Sequence, residues 1–253
     1  MTKAILIGYG QIGKAVYRVF SKYHDILIHD PFISEKYVVK KGTKADILLV
    51  TIPYTNKFIT QIKSYQKQFK GIKSTIIFAT VAIGTCKKLK ATHSPIEGKH
   101  PNLIKSLRVG KRWIGGATGK TLKFFLDAKY KRKDISIFPE AKWTEFLKLR
   151  STSLYGLNIE FARYSKKVAD KLKISFNAIQ EFDKDYNTLY KKLGMPQFSR
   201  YILTPPKGNI GGHCVVSNAK ILDKQFPSIF LKEIYKEKEF EFGEESEEFK
   251  KGI

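Results

Sequence analysis

Near the N-terminus, Gly8-Tyr9-Gly10-Gln11-Ile12-Gly13 places three glycines at G-x-G-x-x-G spacing. The flanks give the motif its meaning. Ala4-Ile5-Leu6-Ile7 is an apolar run of strand length, and Ala15, Val16, Val19 and Phe20 recur at helical spacing. A chain that turns at Gly8, admits an anion to its backbone at Gly10 and packs helix on strand at Gly13 forms a pyrophosphate cradle. The first N–H groups of the helix, at Gln11, Ile12 and Gly13, then offer donors and a positive dipole end to the phosphates. A second apolar run, Ile26-Leu27-Ile28, leads through His29 to Asp30. A carboxylate at that point accepts hydrogen bonds from ribose hydroxyls and repels a 2′-phosphate, so the expected cofactor is NAD rather than NADP.

Toward the C-terminus, the segment from Thr204 to Cys214 is dense in turn formers and closes on Gly211-Gly212-His213-Cys214. A cysteine presented by two glycines, Cys214, is accessible to a ligand and is expected to be a reactive thiol. Cys86 has no comparable loop, although Lys87 and Lys88 follow it, and is expected to be unreactive. Neither cysteine belongs to a zinc-type spacing, so no metal site is expected. With no secretory signal in view, a disulfide is not expected either. His93, His100 and His213 lie in polar stretches and are candidate proton carriers, although histidines in such stretches are more often ordinary surface residues.

These residues need a scaffold that brings strand ends together. Further strands are expected over 46–53, 74–80 and 135–138, with a helix over 58–69 between the first two. Ligands on such a sheet bind at the carboxyl ends of its strands, where Pro53, Tyr54 and Thr80 fall. Residues 92–116 follow a less regular pattern and read as a substrate-facing loop with a helix-like stretch. A long helix is expected over 143–172, and another over 175–193 that stops at Gly194, with Pro196 just beyond. The fold class is therefore α/β. A Rossmann-type doubly wound parallel sheet over 1–140 is followed by a helical second domain with a long central helix over 141–230. Residues 231–253 form an acidic tail, with eight Glu against five Lys from 232 onward.

Composition narrows the class. Hydrophobic residues make up 42% of the 253 positions and aromatics 13%, enough for a core and against wholesale disorder. No apolar run reaches the roughly 20 residues of a membrane span, and no signal peptide is visible, so a cytoplasmic protein without a membrane partner is expected. A net charge of +24 invites a nucleic-acid reading. Only 7 of the 47 basic residues are arginines, however, and the lysines are spread along the chain. That pattern argues against groove reading, which favours bidentate Arg, and leaves a general attraction for anionic ligands.

The order of motifs resembles the UDP-glucose/GDP-mannose dehydrogenase family, most closely its bacterial sugar-acid-forming branch. Gly211-Gly212-His213-Cys214 is similar to the Gly-Gly-x-Cys loop that presents the family's catalytic thiol. The segment from Ala79 to Thr85 resembles its Ser-Thr-Val-Pro-Val-Gly-Thr stretch. Glu145-Phe146-Leu147-Lys148, followed by Leu154-Tyr155-Gly156-Leu157-Asn158-Ile159, resembles its Ala-Glu-Leu-x-Lys helix. The resemblance implies oxidation of a sugar-nucleotide primary alcohol to a carboxylate with two NAD. Cys214 would trap the aldehyde, Lys148 would stabilise an oxyanion, and Thr80 would position a water. It also implies a small-molecule substrate and a homodimer built on the long helix.

Three departures stand out. Asn218 occupies the place of the family's aspartate, and an amide cannot act as a general base. Thr152 replaces the active-site asparagine. The loop from Ser94 to Pro101 lacks the usual Ser-Pro-Glu pattern. Family members also continue into a further domain that binds the nucleoside diphosphate, and the chain is expected to be a short form without it. The alternative function is a non-catalytic NAD-binding module or a subunit of a complex.

Overall fold

A computed structural model describes residues 1–98, 101–206, 210 and 213–236, with His213 described in its backbone alone. The chain divides into two compact units, Met1–Arg150 and Ser151–Ile253.

The first unit is built on seven strands: β1 (Lys3–Ile7), β2 (Asp25–His29), β3 (Ile47–Val50), β4 (Ser74–Ile77), β5 (Thr92–His93), β6 (Arg112–Gly115) and β7 (Ile135–Phe138). They are ordered β2-β1-β3-β4-β5-β6-β7. β1 through β5 are parallel, as expected of a doubly wound sheet. β6 then pairs antiparallel to β5 through His93 and Gly115, and β7 runs parallel to β6. The last two strands therefore run against the other five.

The central strands β3 and β4 are buried along their whole length; β3 accordingly reads as an unbroken apolar run, whereas β4 opens on buried Ser74 and Thr75. Alternation appears instead in which core each residue joins. Ala4 and Leu6 enter the core covered by α1 (Gln11–Phe20), α4 (Leu103–Val109) and α5 (Gly119–Asp127). Ile5 and Ile7 enter the core covered by α2 (Phe58–Gln68) and α3 (Thr85–Leu89). Phe20 anchors the first of these, with its ring 5.0 Å from Phe124 and 6.0 Å from Phe78.

Residues 92–116 depart from the expected loop, since β5, α4 and β6 all lie within them. β5 has only two residues, both polar in sequence, and β6 opens on a buried Arg112, so neither shows an apolar run.

The long helix α6 covers Ala141–Lys171, and the unit boundary falls within it. The second unit continues with α7 (Phe176–Lys192), α8 (His213–Gln225) and α9 (Ile229–Glu233). Gly156 in α6 lets the neighbouring elements approach closely: a Cβ there would stand 2.8 Å from side-chain atoms of both Val215 and Ile234. Gly194 ends the α7 hairpin in the left-handed region at φ +71, where glycine carries no Cβ penalty. α7 itself has no buried residue and leaves Phe182, Leu189 and the following Leu193 exposed. Phe161 and Tyr164 of α6 are exposed as well. Among the described residues, no helix is long and apolar enough to cross a membrane.

Candidate functional site

The glycine loop is set by contacts that exclude larger side chains. Gly8 has φ +92, and a Cβ there would lie 2.7 Å from Ile52 Cγ2. A Cβ on Gly13 would lie 2.2 Å from the Gly8 carbonyl oxygen, so the helix could not rest against the strand end. At Gly10, by contrast, a Cβ would point into open space. The turn thus falls on Gly8 and the helix–strand packing contact on Gly13, while Gly10 faces open space. Gly10 caps α1 without a side-chain hydrogen bond, which leaves the N–H groups of the first turn, at Gln11, Ile12 and Gly13, without intrahelical acceptors. That donor set suits a pyrophosphate.

Asp30 follows β2, and its Oδ2 accepts the Tyr9 N–H at 2.7 Å while Oδ1 accepts the Phe32 N–H at 3.2 Å. The acid therefore pins the middle of the glycine loop. Thr51 is a brace that sequence reading missed: its Oγ1 lies 2.9 Å from both the Ile7 and the Gly8 carbonyl oxygens. A single threonine after an apolar run carries no signal of that role. Pro53 is exposed just beyond β3, and Thr80 is half-buried just beyond β4, both at carboxyl strand ends.

The loop after Thr80 is held by α6. Glu145 is fully buried, and its carboxylate accepts the Gly84 N–H at 2.6 Å and the Cys86 N–H at 2.8 Å. An anion at the start of α3 is the favourable placement for a helix N-terminus. Burial, reinforced by the Glu145 charge and hydrogen bond, pushes the Cys86 thiol well above the usual thiol range. Cys86 is therefore both enclosed and protonated.

Thr144, the neighbour of Glu145, lies 2.9 Å from His93 Nδ1, and His93 Nε2 lies 3.1 Å from the Ala79 carbonyl oxygen. Nε2 must donate to that carbonyl, so Nδ1 accepts from the Thr144 hydroxyl. Burial lowers the His93 pKa to about 4, against the Ala79 hydrogen bond and with help from the Lys148 charge. A ring that is neutral above about pH 4, with both nitrogens engaged, is a fixed post rather than a proton carrier at neutral pH. It joins Ala79, the residue before Thr80, to the helix turn that carries the half-buried Lys148.

This geometry predicts acid sensitivity. The unfolded chain takes up a proton at His93 near its ordinary 6.5, whereas the folded chain does not until about 4. Stability contributed by the neutral ring is thus full above 6.5 and is lost as pH falls toward 4, by about 3 kcal/mol. Burial lowers the pKa of His24 and His29 in the same direction. Urea unfolding at pH 7, 5.5 and 4.5 should show a steeper fall for the native chain than for His93→Gln. Equal slopes would remove the assignment.

In the second unit, Cys214 is exposed in the first turn of α8. Asn218, one turn further along the same face, is buried and donates from Nδ2 to Thr152 Oγ1 at 3.1 Å. The two positions that depart from the family pattern are therefore partners of each other. Lys148 and Cys214 belong to different units. Gly211, Gly212, His100 and the tail beyond residue 236 lie outside the described residues, as does the His213 side chain.

No family model matches the chain, and no curated protein matches it by sequence. Solved structures do match. UDP-D-ManNAc dehydrogenase from Pyrococcus horikoshii is similar at TM-score 0.70 and 16% identity, over 92% of this chain and 67% of that one. UDP-glucose dehydrogenase from Pyrobaculum islandicum is similar at TM-score 0.67 and 13% identity, with the same coverages of 92% and 67%. A 3-hydroxyisobutyrate dehydrogenase from Mycobacterium tuberculosis is similar at TM-score 0.65 and 12% identity, over 92% of this chain and 91% of that one. At these identities the likeness is one of fold, and the chain spans about two thirds (67%) of the length of the two sugar-nucleotide enzymes.

Proposed function

We propose that the chain is an NAD-dependent dehydrogenase acting on a CH–OH group, with a sugar nucleotide or related alcohol as substrate and Cys214 as nucleophile. The observation that carries this reading is the glycine turn between β1 and α1, in which Gly8 takes φ +92, Gly13 packs against the Gly8 carbonyl and Gly10 faces open space, a form suited to a pyrophosphate. The fold likeness to dehydrogenases supports it.

Bound NAD supplies the hydride acceptor. Gly8, Gly10, Gln11, Ile12 and Gly13 would hold its pyrophosphate and Asp30 its ribose, with Pro53 and Thr80 bordering the crevice. After the alcohol gives up a hydride and a proton, the Cys214 sulfur adds to the aldehyde carbon and forms a thiohemiacetal. Loss of a second hydride to a second NAD, with the hydroxyl proton going to solvent, would leave a thioester, which water would cleave to carboxylate while the thiol is restored. Lys148 would steady the oxyanion and Thr80 the attacking water. Asn218, bonded to Thr152, has no basic lone pair to activate that water, so thioester hydrolysis is the expected slow step.

A second reading is favoured by the 91% coverage of the hydroxy-acid enzyme. In it a single hydride moves and Cys214 takes no part. NADH yield per substrate, measured across sugar nucleotides and simple hydroxy acids, separates the two: two equivalents support the first reading and one the second. No turnover with either class would leave an NAD-binding module.

Cofactor choice is a separate expectation. Calorimetry should give NAD at least about tenfold tighter than NADP, or some 1.4 kcal/mol, and Asp30→Ser should narrow the gap. Equal affinities in the native chain would show that Asp30 does not read the ribose.

We also propose a homodimer through the exposed apolar residues of α6 and α7, among them Phe161, Phe182 and Leu189. Sedimentation at micromolar concentration should report a dimer, and Phe161→Glu with Phe182→Glu should yield monomers. A monomeric native chain would end that proposal.

A further inference from the structure

β2 is an edge strand, with β1 on one side and, among the described residues, no strand on the other. The Asp25 N–H donates to the Thr2 carbonyl oxygen at 3.0 Å, and the His29 carbonyl oxygen accepts the Gly8 N–H at 3.1 Å. Asp25, Leu27 and His29 thus turn their backbone groups toward β1. Backbone direction alternates along a strand, so Ile26 and Ile28 turn theirs outward. The next outward residue, Asp30, gives its N–H to the Tyr37 carbonyl oxygen at 2.8 Å. The segment after β2 closes the edge at that point. It leaves the outward groups of Ile26 and Ile28 without a backbone partner among the described residues. An open edge of this kind is a template for an added strand.

The surroundings say what kind of strand fits. A cavity of about 410 Å³ runs along the edge, lined by Ile26, Ile28 and Tyr17 and, from the segment after β2, by Lys36, Val38 and Lys40. No carboxylate lines it. Phe32, Ile33 and Val38 of the same segment are exposed. Two cations among apolar groups call for a strand that is acidic on one side and apolar on the other. Such a pattern occurs in this chain: Glu239-Phe240-Glu241-Phe242 alternates with period two, within a stretch, 237–249, of seven Glu and one Lys. That stretch lies outside the described residues. In a chain of net charge +24, an acidic stretch is drawn to the basic remainder.

We propose that the open edge of β2 takes up Glu239 to Phe242 of a second copy as an added strand. Ile26 and Ile28 supply the main-chain hydrogen bonds, which give affinity whatever the side chains. Lys36 and Lys40 select the glutamates, and the apolar lining selects Phe240 and Phe242. The contact draws on none of the α6 and α7 residues named for the homodimer, nor on the glycine turn.

Hydrogen–deuterium exchange of the full chain, read at single amides by NMR, tests this. The Ile26 and Ile28 amides should exchange at least about tenfold more slowly at high than at low micromolar concentration. The Leu27 amide, which faces β1, should not change. Phe240→Ser with Phe242→Ser should leave Ile26 and Ile28 fast at both concentrations, and an excess of synthetic peptide 237–249 should slow them again. Lys36→Glu with Lys40→Glu should also leave them fast. Both lysines are exposed, so folding should be unaffected. The proposal is overturned if the two amides exchange alike in the native chain and the double-serine variant, if their exchange does not depend on concentration, or if the peptide restores nothing.

Discussion

Gly13→Ala should weaken NAD binding at least about a hundredfold, a loss of some 2.7 kcal/mol, although it adds a single methyl group. That methyl would stand 2.2 Å from the Gly8 carbonyl oxygen and 3.0 Å from both the Gly8 carbonyl carbon and Thr51 Oγ1. Two of those atoms are backbone, so no rotamer change can relieve the overlap. The helix must move off the strand end, taking with it the free N–H groups of its first turn. Overpacking of this kind also costs stability, by about 1–3 kcal/mol.

Gly10→Ala provides the contrast. Its methyl meets no protein atom within 4 Å, so the melting temperature should barely change while NAD affinity still falls, because the ligand would approach there. Calorimetry and thermal melts on the two variants separate a loop built for a ligand from one that is merely tight. If Gly13→Ala bound NAD as the native chain does, the cradle reading would be lost.

Cys214→Ala should lower the formation of carboxylate by about 10⁴-fold or more, the scale on which removal of a covalent nucleophile acts. NADH yield should fall from two equivalents per substrate to one, with aldehyde accumulating, because the first hydride transfer does not use the sulfur. Folding should be unaffected, since Cys214 is exposed. Iodoacetamide provides a readout that does not depend on turnover. Cys86 is buried and its thiol is pushed up by burial and by Glu145, so Cys214 should be labelled at least about a hundredfold faster. Carboxylate formation that persisted at the native rate in Cys214→Ala would leave the single-hydride reading in place.

Much of the glycine turn could be read from the chain because its demands are local. Gly8, Gly10 and Gly13 lie within six positions, and their roles depend on a turn and a helix start that short-range sterics dictate. The same holds for β1 and β3, whose burial on both faces leaves apolar runs over 4–7 and 47–50. The long helix was legible for a related reason: its apolar spacing persists over many turns, and the expected 143–172 lies within two residues of Ala141–Lys171 at either end.

What the tertiary structure decided are the features that join distant residues. β5 and β6 are short and open on polar or charged residues, so their place in the sheet and the reversal between them follow from pairing with neighbours rather than from their own pattern. Glu145 holding the loop at Gly84, His93 fixed between Ala79 and Thr144, and Asn218 bonded to Thr152 each span between 14 and 66 residues of chain. No periodicity records such partnerships, because a buried polar group is chosen by the donor or acceptor that folding brings to it. His93 shows the consequence most directly. Its place in a polar stretch of sequence suggested a surface histidine or a proton carrier, and only burial against Ala79 and Thr144 made it neutral and fixed.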